Sequence, residues 1–338
     1  MQRPWLLQTA QEDAPQPLVG IARLASHGES IRQGHLVEYF SLPTRTVLNR
    51  CTSSRVPFTW TINPYRGCEF ACKYCYARYT HEFMEMHDGV DFERKIYVKQ
   101  QTAWLLRQEL KKVKRGEEIA IGTATDPYQP AEKRFEVTRG ILEELAQHHG
   151  LQIGIVSKSD LMCRDTDLLR KIGENNSLYV NVTITTTSTR LARILEPRAP
   201  RPDLRLKAVR TLREAGIKAG VICAPVLPGI TDAPAALDAL VRATKEAGGR
   251  YIYANPLFLK PCSARVFLPF LEKEFPHLVA EYQKRFQDKA FLGKAYAKRI
   301  SELMAVLRKK HGITREVTAR GDIVQHPRQQ VEEQMRLF

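Results

Sequence analysis

Long hydrophobic runs are missing from these 338 residues: none approaches the ~20 apolar positions that a membrane-crossing helix needs. The opening Met1-Gln2-Arg3-Pro4-Trp5-Leu6-Leu7 lacks the extended apolar core of a secretory signal, so a reducing cytoplasm is the expected compartment. Acidic charge is short. Against 52 Lys and Arg stand 37 Asp and Glu, which leaves +15 and favours polyanionic partners, nucleic acid first among them. Cysteine is sparse too, and no second C-x2-C or C-x2-H pair accompanies the one present, which argues against a paired-knuckle zinc module and against a disulfide scaffold.

What is present is one dense stretch, Arg66-Gly67-Cys68-Glu69-Phe70-Ala71-Cys72-Lys73-Tyr74-Cys75-Tyr76. It holds three of the seven cysteines at C-x3-C-x2-C spacing between aromatics. Three thiolates on one short loop can turn inward together, and thiolate sulfur is a soft ligand for iron–sulfur clusters and for zinc. Two readings are open from the residues. A cluster held by three cysteines leaves one iron free for a non-protein ligand; a zinc ion would take Cys68, Cys72, Cys75 and His81 as a closed set.

C-x3-C-x2-C with Tyr74 before the third cysteine resembles the signature of the radical S-adenosylmethionine (SAM) superfamily. The resemblance implies a [4Fe-4S] cluster on Cys68, Cys72 and Cys75. It also implies SAM chelated at the open iron and cleaved by one electron to a 5′-deoxyadenosyl radical that takes a hydrogen atom from the substrate.

Along the chain, residues 1–56 are rich in proline and mixed polar residues and predict an irregular N-terminal extension. Short β-rich runs then alternate with helical patterns. Strands are expected at 58–62, 119–123, 153–156, 179–187, 217–224 and 251–254, the first feeding directly into the cysteine loop. Helices are expected at 101–114, 132–148, 164–172, 203–215 and 234–246. Alternation of this kind argues for parallel strands joined by crossovers. Six units match the partial (β/α)6 barrel common in the radical SAM family, with the site at the C-terminal strand ends. The expected division is therefore the extension over 1–56, the partial barrel over 57–260, a helical basic region over 261–312, and a tail over 313–338.

In the fourth strand a polar row, Asn181, Thr183, Thr185 and Thr187, alternates with Val180, Val182 and Ile184. A buried parallel strand is usually apolar on both faces, so the row points to a lumen with a polar ligand. The second strand runs into Thr125-Asp126-Pro127-Tyr128-Gln129-Pro130, whose prolines leave Asp126, Tyr128 and Gln129 on a loop at the rim. Lys158 ends the third strand, Glu196 and Arg198 follow the fourth, and Ala224 ends the fifth.

With the cysteine motif, these strand ends look like the spore photoproduct lyase branch, over about residues 58–256. Carried across by motif, Thr125, Lys158, Thr183 and Ala224 would line the SAM pocket, with Lys158 near its carboxylate and the backbone of Tyr74 at the adenine. Tyr74 and Tyr76 stand where the lyase also employs tyrosines beside the cluster. Asp126, Tyr128, Gln129, Glu196 and Arg198 are the rim candidates for substrate contact, Glu196 and Arg198 being able to pair with each other. The chain departs at Thr123, where the lyase places a hydrogen-donating cysteine, so altered chemistry is implied; Cys223 would substitute if it faces the lumen.

Basic residues form knots at Lys111–Arg115, at Arg198, Arg201, Arg205, Lys207, Arg210 and Arg213, and from Lys284 to Lys310. The chain ends Gln334-Met335-Arg336-Leu337-Phe338, which resembles the Gln-Leu-x-Leu-Phe peptide that docks bacterial repair and replication proteins on the sliding clamp. Together these features predict a radical SAM enzyme acting on nucleic acid, most naturally a DNA base, with an electron donor such as flavodoxin or ferredoxin and no membrane partner. The rivals are a radical SAM enzyme on a peptide or small molecule, and a zinc-stabilised nucleic-acid-binding protein without catalysis.

Overall fold

The structure, a computed structural model, describes residues 17–313 apart from 35, 54 and 288. The first elements are α1 (Gly20–Ser26), β1 (Ser30–Gln33), β2 (Glu38–Leu42) and β3 (Leu48–Arg50). More regular structure lies here than the prolines predict. The buried Glu109 carboxylate supplies one reason, since the backbone N–H groups of Val47 and Leu48 donate to it at 2.9 and 2.8 Å and pin the strand.

β4 (Trp60–Ile62) and β5 (Tyr65–Arg66) precede the cysteine loop; α2 (Tyr79–Glu82), α3 (Asp91–Arg94), β6 (Lys95–Lys99) and α4 (Thr102–Glu109) follow it. The alternating unit then runs β7 (Glu118–Ile121), α5 (Glu132–Phe135), α6 (Val137–Leu145), β8 (Gln152–Ser157), α7 (Thr166–Asn175), β9 (Ser177–Thr183), α8 (Thr189–Leu195), α9 (Pro202–Glu214), β10 (Ala219–Val226), α10 (Pro234–Glu246) and β11 (Ile252–Pro256). Three helices close the described chain: α11 (Pro261–Glu274), α12 (Val279–Phe286) and α13 (Lys294–His311). Proline opens α9, α10 and α11, where its missing N–H costs nothing, and Gly312 in the left-handed region ends α13.

One sheet has the order β11-β10-β9-β8-β7-β4-β3; its six strands from β4 to β11 pair in parallel and β3 is antiparallel to β4. These are the six β/α units of the expected partial barrel, with its end strands unpaired to each other. Ile119, Ile121, Ile153, Ile155, Val180, Val182 and Val221 are buried along it and pack against helices that cover the sheet. A second sheet, β1-β2-β6-β5, was not legible in advance. Because β5 belongs to it, the loop does not issue directly from the first barrel strand; it is slung between the two sheets.

The helix expected over 132–148 is broken at Glu136, whose φ is 48°. The buried Glu132 carboxylate accepts from the N–H groups of Thr138 (2.8 Å) and Arg139 (3.0 Å), so it caps α6 from the preceding turn. The fourth strand also stops early, at Thr183, leaving Thr185 and Thr187 beyond it. Among the described residues no helix is long and apolar enough to cross a membrane.

Candidate active site

The cysteine loop is fixed before any ligand arrives. Gly67 has φ 80°, and a Cβ there would meet the carbonyl oxygens of Lys95 and Phe92 at 2.7 and 2.9 Å, so only glycine lets the loop enter so close to β6. Its carbonyl accepts from Thr125 Oγ1 at 2.5 Å and Gln129 Nε2 at 3.1 Å, while Gln129 Oε1 accepts from the N–H of Glu69 at 3.0 Å. Further on, the Cys68 N–H donates to Phe92 O and the Lys73 N–H to Leu195 O. The carbonyls of Cys72 and Cys75 accept from Arg78 Nη2 (3.0 Å) and Ser263 Oγ (2.8 Å). Every side of the loop is tied to a different element.

Cys68 and Cys72 are buried and Cys75 half-buried, all in an apolar shell with Phe70, Tyr74, Leu195 and Leu227. Burial pushes each thiol up, Cys72 to about 12; Cys72 and Cys75 further raise Cys68, and Cys75 raises Cys72. Lys158 stands opposite. Burial opposes its ammonium, but Cys72, Glu196 and Asp126 overcome that and raise its pKa; Nζ sits 5.7 Å from the Tyr74 ring centroid. Three thiols on one braced loop, with a lysine in electrostatic reach of Cys72 and Cys75, fit a cluster that carries negative charge and a carboxylate-bearing cosubstrate. A closed zinc set is not assembled: no three His, Cys, Asp or Glu side chains among the described residues are grouped to hold a single ion. His81, the would-be fourth zinc ligand, shares a hydrogen bond between Nε2 and Lys95 O at 3.0 Å and is held neutral by burial, its pKa down to about 4.

The rim candidates separate. Glu196 is fully buried and forms an ion pair with Arg205 (2.5 Å), not with Arg198; it also accepts hydrogen bonds from Tyr74 Oη and, at 3.4 Å, from Thr185 Oγ1. Burial works against its charge, yet Arg205 and Lys158 outweigh this and lower its pKa. Arg198 does not pair with Glu196: its guanidinium donates to Glu93 O, and its backbone N–H donates to Phe70 O of the cysteine loop. Asp126 faces inward and accepts from Ser157 Oγ and the Lys158 N–H, both at 2.7 Å. Tyr128 is not on the rim: it is buried in the main core. Gln129 and Thr125 brace the loop, Thr183 ends β9, Ala224 lies two residues inside the end of β10, which runs further than expected, and Tyr76, exposed, donates to Thr123 O. Cys223 is fully buried with Sγ toward Thr185 O, which removes it as a lumen donor.

Arg205 was missed as a site residue and counted in a basic knot. The signal was present: it shares the buried stripe of α9 with Ala208, Val209 and Leu212. An arginine on an apolar stripe needs a buried partner. Other members of the knots are also spent, Arg213 on Gly248 O and Ile217 O, Lys310 on Asp238, and Arg299 on Asp232.

Comparison with known proteins agrees with this geometry. The family model described as the Radical SAM superfamily matches residues 62–240, more than half the sequence. An uncharacterized protein of Mycobacterium tuberculosis (strain ATCC 25618 / H37Rv) is 33% identical over 277 residues, covering 81% of this chain and 81% of its own. Another, from Methanocaldococcus jannaschii, is 31% identical over 217 residues, 64% of this chain and 76% of that one. Among solved structures, spore photoproduct lyase complexed with dinucleoside spore photoproduct superposes with a TM-score of 0.60 at 16% identity, over 81% of this chain and 79% of that one. A variant of that lyase with bound AdoMet and the same dinucleoside gives 0.58 at 17%, over 80% and 79%. The chain belongs to the radical SAM superfamily. It is a radical SAM enzyme, and its cofactors are those of the family, a [4Fe-4S] cluster and SAM.

Proposed function

We propose that this enzyme acts on nucleic acid, repairing or modifying a DNA base, with Cys68, Cys72 and Cys75 as the cluster ligands. The observation that carries the chemistry is a braced loop with three cysteines, two of which, Cys72 and Cys75, lie in electrostatic reach of Lys158 just beyond the C-terminal end of β8. The +15 charge and the fold shared with spore photoproduct lyase, a structure of which holds a dinucleoside spore photoproduct, support the substrate class. When bound, the cluster and SAM together supply one electron and a carbon radical able to take a hydrogen atom.

The chain's own residues do the rest. Lys158 offers an ammonium to a carboxylate. Tyr74, Glu196 and Arg205 form a fixed, charge-balanced wall behind the thiols, and Leu195, Leu227 and Phe70 exclude water. Thr125 and Gln129 hold the loop at Gly67 so that the thiols need not reorganise. Thr123 offers only a hydroxyl, whose O–H bond is too strong to return a hydrogen atom as a thiol does, so the outcome differs from simple dimer reversal.

Gln334, Met335, Leu337 and Phe338 lie outside the described residues; docking on the sliding clamp through them is proposed from the sequence, as is reduction by flavodoxin or ferredoxin. The test is anaerobic incubation of the reduced protein with SAM and ultraviolet-irradiated DNA, unirradiated DNA, or a pool of peptides. Release of 5′-deoxyadenosine with altered bases, stimulated by either DNA, is expected. Stimulation by peptides alone would overturn the substrate class.

A further inference from the structure

Outside the thiol pocket, three separate segments bring aromatic side chains into a continuous strip. Tyr79 meets Phe83 edge-on at 5.6 Å between centroids and stacks toward Tyr76 at 6.4 Å. Tyr76 meets Phe258 at 5.9 Å, and Phe258 stacks on Phe291 at 4.3 Å with 20° between planes. A short bridge between the backbones of Phe258 and Phe291 holds that last pair in place. Cations lie over the rings: Lys260 Nζ is 3.9 Å over Tyr79 and 6.0 Å over Phe258, in the middle of the strip, and the Arg55 guanidinium is 3.9 Å over Phe291 at one end.

This strip is not core. Phe83 is 56% exposed, Phe291 42% and Tyr76 38%, although each would gain by burial. It begins one residue after Cys75, so it leads outward from the proposed cluster.

We propose that the strip is a stacking platform for the unpaired bases of a single nucleic-acid strand, which it leads to the active site. The exposed rings of Phe83, Tyr76 and Phe291 offer apolar surface to nucleobases, and the cations that lie over neighbouring rings, Lys260 and Arg55, suit the phosphates between them. A folded duplex offers no base faces to such a surface, so the strand is presented open or with its target base extruded. The inference rests on the proposed nucleic-acid function and adds the form in which the substrate is held.

The test uses the full chain and a thymidine oligonucleotide carrying 2-aminopurine, titrated beside the matching duplex and an RNA of the same sequence. Wild type is expected to bind the single strand more tightly than the duplex and to quench 2-aminopurine. Phe291→Leu and Phe83→Leu, both at exposed positions, should each lose about 5- to 150-fold in single-strand affinity and relieve the quench. Trp104→Ala, exposed on α4 away from the strip, should bind as wild type does. Equal affinity for RNA means the platform reads bases without regard to sugar; weaker binding by RNA assigns it to DNA, and either supports stacking. If wild type binds the single strand but the two leucine variants bind and quench as well as it does, the platform is wrong and the nucleic-acid reading survives. If wild type binds no strand at low salt, both fall.

Discussion

The inner and outer sides of the cysteine loop are two residues apart and opposite in character. Tyr74 is 5% exposed and donates to Glu196, whereas Tyr76 is 38% exposed and opens a line of solvent-facing rings. Inside, the polar groups of Thr125, Gln129, Glu196 and Arg205 are already paired. Outside, apolar faces are left open at a cost in solvation. A short segment thus divides its labour: one side builds a closed, preorganised pocket for small cofactors, the other a surface for something long.

The contrast breaks most completely at the proposed ligands. Cys72→Ala should lose the cluster and all 5′-deoxyadenosine release, read by iron content and chromatography, while His81→Gln keeps its iron. The reverse pattern would restore the zinc reading. Next in size is the inner wall. Glu196→Gln leaves Arg205 buried without its counter-charge and should cost about 3–5 kcal/mol in urea unfolding. Glu196→Gln combined with Arg205→Met should cost less than Glu196→Gln alone, because the buried charge is gone.

A pH series sharpens the same side. His81 is neutral in the fold, with its pKa near 4 against about 6.5 when unfolded. The unfolded chain therefore binds the extra proton first. Stability is full above pH 6.5, falls as pH drops toward 4, and the loss approaches about 3 kcal/mol, a slope that His81→Gln should remove. On the outer side effects on stability are small. Phe291→Leu should change unfolding by about 0.5 kcal/mol or less while leaving iron content intact. Lys260→Gln should lower the dependence of strand affinity on salt by about one phosphate contact.

Much of the inner side was legible because its chemistry is local. Cysteine spacing, alternating strands and helices, and the strand-end positions of Lys158 and Thr183 are all short-range patterns, and the six parallel strands follow from them. What escaped is long-range. The second sheet joins β2 to β6 and β6 to β5, and no pattern within any of the three announces its partner. Glu196 finds Arg205 rather than its near neighbour Arg198, because α9 turns Arg205 inward with Ala208 and Leu212. Tyr128 read as a rim residue between two prolines but is drawn into the core. The aromatic strip escaped for the same reason, being assembled from segments as far apart as Arg55, Tyr79, Phe258 and Phe291.

The most direct measurement follows isotope. DNA deuterated in its sugars and bases, ultraviolet-irradiated and presented as a single strand, is incubated with reduced, reconstituted enzyme and ordinary SAM, and the 5′-deoxyadenosine is weighed by mass spectrometry. Product one mass unit heavier is the expected result, since the hydrogen atom taken comes from the nucleic acid. Product of ordinary mass, formed at the same rate with and without DNA, would contradict it.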